Sequence, residues 1–501
     1  MTVAIARDPL DPAHRHGVRP VVRRSGLGWA LFVVVVLGLG ALLAVFAQAR
    51  PAYDANGWMV WANEVLHGTL NLNAAPSWKP LAFLFLLPYA LTGHQGELWL
   101  WTITACAGGV AGPLLAGRLA WRLAPRGSGI IPEWVPPMLA ALVAATILAT
   151  MTVASKLVPL PMGLLRQVLI TSSDPLVLAL LLGAAEAHFA RRYGWALALL
   201  WLAGLGRPEV WVLLGGYGLW LWRAVPGLRG WWLAAVLSTP VAWFLPPTLA
   251  SNSPLSPGRF DTGLATAVVG NKFLGVLDRV RTLSGTVVQI EVGVSLLLSL
   301  LWRDRRVLVL LGLAALWTAV EIGFALHGFS AVQRYLIEVG GVLAVIGGVG
   351  SAQLLLLPWR LLARQGRVGA RLGAALGLLV VLIFLAGIVP FARTSVDGGR
   401  GIVENQQLDA RELAGLTRLV RRAGVHQILN CGAPVAALGW QSGVAWELGV
   451  NVGVVGFRPL RSYRTFPVVA FSHTGPHWRL TLLNEPTVAS VACAPLQGLS
   501  S

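Results

Sequence analysis

Two aspartates and a few cations stand where an apolar chain has least use for them. Asp54 lies in "YDANGWMVWANEVLHG", directly after the first apolar run, and Asp174 opens a later run in "TSSDPLVLALLLGA". A carboxylate at the mouth of a helix can take a proton from a hydroxyl, hold a cation or cap the helix. Aspartate is a favoured N-cap, and Pro175 suits a first helical turn, so capping stays open for both acids. Glu209, Glu321 and Glu338 also lie in or beside apolar runs, where a carboxylate is costly and faces a bundle interior or an aqueous cavity. The same outer segments carry Lys79 in "WKPL", Lys156, Arg166, Arg207 in "GRPE" and Arg334 in "QRYL". A lipid phosphate suits them, because a guanidinium binds phosphate oxygens in pairs and a lysine adds a point charge. Arg207 has a local alternative partner in Glu209.

The elements that must position these residues are membrane helices. Of 501 residues 56% are hydrophobic and 12% charged, the mean hydropathy is +0.68, and there are 22 tryptophans. That excludes an ordinary soluble globular protein. The net charge of +18 does not point to nucleic acid, since its arginines cluster between apolar runs as the positive-inside rule expects. Spans are predicted at 27–47, 98–120, 136–155, 174–190, 194–206, 208–223, 231–249, 286–302, 306–326, 335–357 and 370–391, about eleven in all. Residues 1–26 then form a cytoplasmic segment, and the first span reads as retained rather than cleaved. The outward pieces are the first loop at 48–97, then 156–173, 206–208, 251–285, 327–334 and the tail. The run at 80–91 is too short to span and suits an interfacial or re-entrant helix. Trp58, Trp61, Val65 and Leu66 share a helix face expected to lie at headgroup depth.

From 392 to 501 the pattern changes to a small mixed α/β domain. "LAGLTRLVRRAGVHQILNCG" reads as a helical pattern followed by a strand pattern at "HQILNCG", and "VNVGVVGF", "FPVVAFS", "WRLTLLN" and "VASVACA" read as short strands. Cys431 and Cys493 fall in this domain, and in an oxidising compartment the two can pair. Trp440 and Trp446 suit either a domain core or sugar stacking.

An acid past the first helix, a "KP" entering an apolar stretch, Arg166 separated from Asp174 by seven residues, "GRPE" and "QRY" occur in an order that resembles the GT-C superfamily. These are polyprenyl-phosphate-sugar-dependent glycosyltransferases, including protein O-mannosyltransferases, aminoarabinose transferases and arabinofuranosyltransferases. The resemblance covers roughly residues 25–215, and more weakly to about 350. It implies an α-helical polytopic GT-C-like fold over 27–391, with Asp54 deprotonating the acceptor hydroxyl and Asp174 positioning the acceptor or, in some members, a metal. Lys79, Arg207 and Arg334, together with Arg166, would grip the donor phosphate. "WKPL" lacks the double proline of relatives and "YDANGW" lacks a second acid, which weakens a metal-dependent mechanism and leaves a divalent cation only an option.

The implied reaction moves a sugar from a polyprenyl-phosphate donor to a glycan, lipid or protein acceptor of the cell envelope, outside the plasma membrane. One carboxylate base implies inversion. The rival readings are a transporter or flippase of lipid-linked glycans, favoured by inverted repeats that the chain does not display, and a scaffold acting through its tail.

Overall fold

The computed structural model describes residues 24–74, 76–127, 129–151, 163–255, 258, 262, 267–457, 466–484 and 493–501. Lys156, most of the 1–26 segment and the predicted strand at 488–494, save its last two residues, lie outside them.

Apolar runs without internal charge become helices because a bilayer leaves every backbone polar group to be satisfied within its own segment. The first is α1, Arg24–Phe46. Two helices of the first loop follow, α2 (Tyr53–His67) and α3 (Pro80–Ala90). Next come α4 (Gly93–Leu123), α5 (Val135–Ala149), the short α6 (Leu164–Leu169), α7 (Asp174–Phe189), α8 (Tyr193–Gly206), α9 (Val210–Ala224) and α10 (Arg229–Ala250). Then α11 (Lys272–Leu301), α12 (Arg305–Leu326) and α13 (Ile337–Leu362) lead into α14, Gly366–Ala423. At Gly366 the backbone has φ +87°, which suits glycine, and α14 turns back along α13.

Among the described residues five stretches are long and apolar enough to cross a membrane: Gly26–Phe46, Gly93–Leu123, Pro226–Ala250, Arg305–Leu326 and Gln333–Ala386, the last containing the α13 and α14 hairpin. The two halves of α11, Lys272–Leu283 and Val288–Leu301, meet at 99° and make a sixth if taken as one span. The chain is a multi-pass membrane protein. Helices α5, α7, α8 and α9 have 14 to 16 residues and fall short of a full span by length alone.

The helices have two chemically distinct ends. Short connections make α7 and α8 antiparallel, whereas Trp101 donates to the Thr171 carbonyl at 3.2 Å and Arg122 binds Glu186, so α4 and α7 run parallel. Asp174, Arg207 and Glu338 therefore share one end, and Arg118, Arg122 and Arg191 the other. The 16 residues of α7 separate these ends by roughly 24 Å.

Several expectations change. The tryptophans of α2 do not face lipid: Trp58 and Trp61 are buried with Trp78, Trp101, Leu416, Trp446 and Trp478 in one core, leaving only Val65 and Leu66 exposed. First loop and tail thus share their hydrophobic interior. The boundary at 391/392 falls inside α14, because the helical run of the tail continues the last apolar run without a breaker that stops it. Within the predicted outer loop 251–285, helix begins at Lys272, capped by the Asn271 side chain. "HQILNCG" is no strand but a short helix, α15 (Val425–Cys431), since Gly424 at φ +79° only bends the chain before it coils again.

Among its described residues the remaining tail holds α16 (Gln441–Leu448) and three strands, β1 (Ala433–Val435), β2 (Val468–Thr474) and β3 (His477–Leu483). Their order is β1-β2-β3, with the first pair parallel and the second an antiparallel hairpin. "VNVGVVGF" contributes a 3-10 turn and a single bridge from Gly456 to Val435. Cys431 and Cys493 are disulfide-bonded with Cα atoms 5.7 Å apart.

Candidate active site

The first loop is held against the turn that leads into α7. Arg50 and Ala52 donate backbone hydrogen bonds to the carbonyls of Leu169 and Ile170, at 3.1 and 3.2 Å. Asp54 follows in the first turn of α2, where the N-cap is Ala52 and the Asp54 side chain caps nothing. Its Oδ2 accepts instead from Arg334 Nη1 at 3.0 Å. Asp174 is likewise not the cap of α7, a position held by Ser173. The capping alternative therefore fails for both acids.

Asp174 is 0% exposed and fully engaged. Oδ1 accepts from Arg207 Nη2 at 2.7 Å and lies 3.6 Å from Lys79 Nζ, while Oδ2 accepts from the Ser172 hydroxyl at 2.8 Å. Thr171, just before, sits at φ +55°, a costly conformation for a β-branched residue that the Trp101 hydrogen bond helps to hold. A second such residue, Ala331 at φ +42°, precedes Arg334, and Arg279 donates to the carbonyls of Ser330 and Ala331. Strained turns thus flank both halves of the site.

Arg207 ties the halves together. It leaves the end of α8, where a Cβ on Gly206 would stand 2.5 Å from Val177 and 2.8 Å from Leu81. Glycine here leaves α8 close against α7 and α3 without displacing those side chains, and the guanidinium that follows reaches Asp174. Beyond Asp174 it reaches Glu209 at 3.4 Å, Glu338 at 3.5 Å and the Arg334 carbonyl at 3.3 Å. The Tyr335 ring faces both guanidinium groups, with centroid distances of 4.4 Å to Arg207 and 5.2 Å to Arg334. Its quadrupole eases two cations into one small volume. Glu321 belongs to the same neighbourhood, through its interactions with Glu209, Arg207 and Glu338.

Asp54, Lys79, Asp174, Arg207 and Arg334 therefore form one chain of contacts. Arg166 is engaged elsewhere: it binds Asp409 at 3.0 Å and Gln406 at 2.9 Å on α14. The side chains differ in access. Those of Asp54, Arg334 and Lys79 are 26%, 22% and 11% exposed, against 3% for Arg207. The accessible groups can meet a substrate, whereas Arg207, committed to three carboxylates, orients the others. Sequence reasoning missed Ser172 and Tyr335, although Ser172 lies two residues before Asp174 and Tyr335 adjoins Arg334.

These donors do not fit a divalent cation. Asp54 and Asp174 each face an arginine, and among the described residues no group of three His, Cys, Asp or Glu side chains is arranged to hold a metal ion. Trp446 is buried and stacks on His94 at 4.0 Å, and Trp440 packs edge-on to Trp478, so both serve the core.

No protein-family model matches the chain, and no curated protein matches it. Among solved structures, the crystal structure of ArnT from Cupriavidus metallidurans in the apo state is similar over 94% of this chain and 95% of that one, with 15% identity and a TM-score of 0.49.

Proposed function

We propose that the protein is a membrane glycosyltransferase that moves a sugar from a polyprenyl-phosphate donor to a hydroxyl of an extracytoplasmic acceptor. The observation that carries this reading is one partly exposed carboxylate, Asp54, held by Arg334 at the head of the buried Arg207 and Asp174 pair. A general base must be reachable and must not be neutralised on all sides; Asp54 meets both conditions and Asp174 neither. Asp54 takes the acceptor proton as the acceptor oxygen attacks the anomeric carbon. The bond from that carbon to the phosphate oxygen breaks, and polyprenyl phosphate leaves carrying the electron pair. Lys79 and Arg334 stabilise its charge, which is worth most in a site shielded from water. With one accessible base the displacement inverts the anomeric centre.

The topology of this reading has about eleven crossings, counting the shorter helices as spans, with the arginine-rich ends cytoplasmic. The site and the tail then face outward, which the Cys431 and Cys493 disulfide supports.

The test is sugar transfer from a panel of radiolabelled polyprenyl-phosphate sugars by purified protein. With the accepted donor, Asp54→Asn is expected to lower kcat by roughly 10² to 10⁴ while donor binding persists. Full activity of this variant, or retention of anomeric configuration, would overturn Asp54 as the base; no consumption of any donor would overturn the transferase.

A further inference from the structure

The end of the helices opposite the site carries a cavity of about 860 Å³ lined by Arg118, Arg122, Arg126, Arg191 and Arg306, with no carboxylate in the lining. The nearby acid is Glu186, buried beneath, whose two oxygens are held by Arg118 and Arg122 at 2.7 to 2.8 Å. It fixes those two guanidinium groups and leaves each with unused N–H donors. Among the described residues, the guanidinium groups of Arg126, Arg191 and Arg306 form no ion pair, and Asp304 meets only the backbone amide of Arg306, at 3.1 Å. Arg191 is moreover held at φ +58° in the tight turn from α7 to α8. Snorkelling alone would let these side chains spread along the membrane surface. Here five of them, drawn from three stretches of the chain at 118–126, 191 and 306, converge on one hollow.

A second, apolar groove of about 470 Å³ begins where this cavity ends, the two sharing His188 and Phe189. It runs between α7, α9, α12 and α13 toward Glu338. An arginine-lined head and an apolar body match one kind of molecule. We infer that this end binds an anionic glycerophospholipid, its phosphate among the arginines and an acyl chain in the groove. Guanidinium pairs recognise phosphate, and basic hollows between membrane helices suit anionic head groups. Such a lipid would brace the ends of α4, α7, α8 and α12 without touching Asp54.

The experiment is thermal unfolding of the full chain in detergent, titrated with phosphatidylglycerol, with phosphatidylcholine, and with the water-soluble glycerophosphoglycerol or inorganic phosphate. Phosphatidylglycerol should raise the melting temperature and the other three should not. Arg191→Gln with Arg306→Gln should weaken the effect roughly tenfold or more. Gly216→Phe gives an independent check, since Gly216 lines the groove and a Cβ there meets nothing within 4 Å. A bulky side chain grown from this position should obstruct the groove and also remove the shift. An equal response to phosphatidylcholine, an equal response to the soluble anions, or an unchanged shift in either variant overturns the lipid. Asp54→Asn should keep the full shift, so failure of the transferase reading leaves this one standing.

Discussion

Asp174 shows what a single side chain contributes. Removing one partner of a buried ion pair strands the other charge, at a cost of about 3 to 5 kcal/mol. In Asp174→Asn the amide can keep contacts to Ser172 and Arg207 but supplies no charge, and Glu209 and Glu338 offset only part of the loss. The melting temperature in detergent should fall by several degrees. Arg207→Met should do the same, and the double variant should lose clearly less than the sum, because each single change already breaks the same pair. Additive losses would show that the two do not act as a unit. Both residues stood out in the sequence as charges at helix mouths, but their partnership across 33 positions did not.

At the level of elements, α2 couples the site to the tail. Asn451 donates to Glu64 at 2.8 Å and the Asn71 amide donates to its other oxygen at 3.1 Å. Partial burial nevertheless outweighs these bonds and pushes the Glu64 carboxyl above its ordinary 4.5. The folded protein then holds this proton more tightly than the unfolded chain. The stability Glu64 contributes is complete below about pH 4.5 and is lost as the pH rises through the raised folded-state value. Relative to Glu64→Gln, the melting temperature of the native protein should decline as the pH rises above about 4.5. A difference independent of pH would show that Glu64 does not titrate on unfolding. Helix α2 itself was legible from its apolar spacing, yet the face was assigned to lipid. Period alone tells which residues share a face and not what covers it.

Over the whole molecule, the disulfide closes the tail on the same core that encloses Trp58 and Trp61. With a sequence separation of 62, its loss removes about 4 kcal/mol by the loop-entropy relation. Reductant, or Cys431→Ser with Cys493→Ser, should lower the melting temperature and expose the α2 tryptophans, seen as a red shift of their emission. An unchanged spectrum with intact stability would mean that the tail packs as tightly without the bond. The long α14 makes this matter for the site, because it runs from the apolar bundle into the tail and also holds Arg166 through Asp409.

The sequence by itself determined a multi-pass helical membrane protein, the helices about Asp54, Asp174 and Arg207, the strands β2 and β3 though not their pairing, and the residues worth watching. Those follow from local rules, since hydropathy, helix period and strand alternation are written in neighbouring residues. Only the tertiary structure decided that Asp54 pairs with Arg334 across 280 positions, that Asp174 is buried behind Arg207, that Arg166 turns to α14 instead, and that tail and first loop share one core. Contacts between distant segments depend on how closely helices approach, as at Gly206, and on which charges remain when water is excluded. Neither is a property of any short stretch of chain.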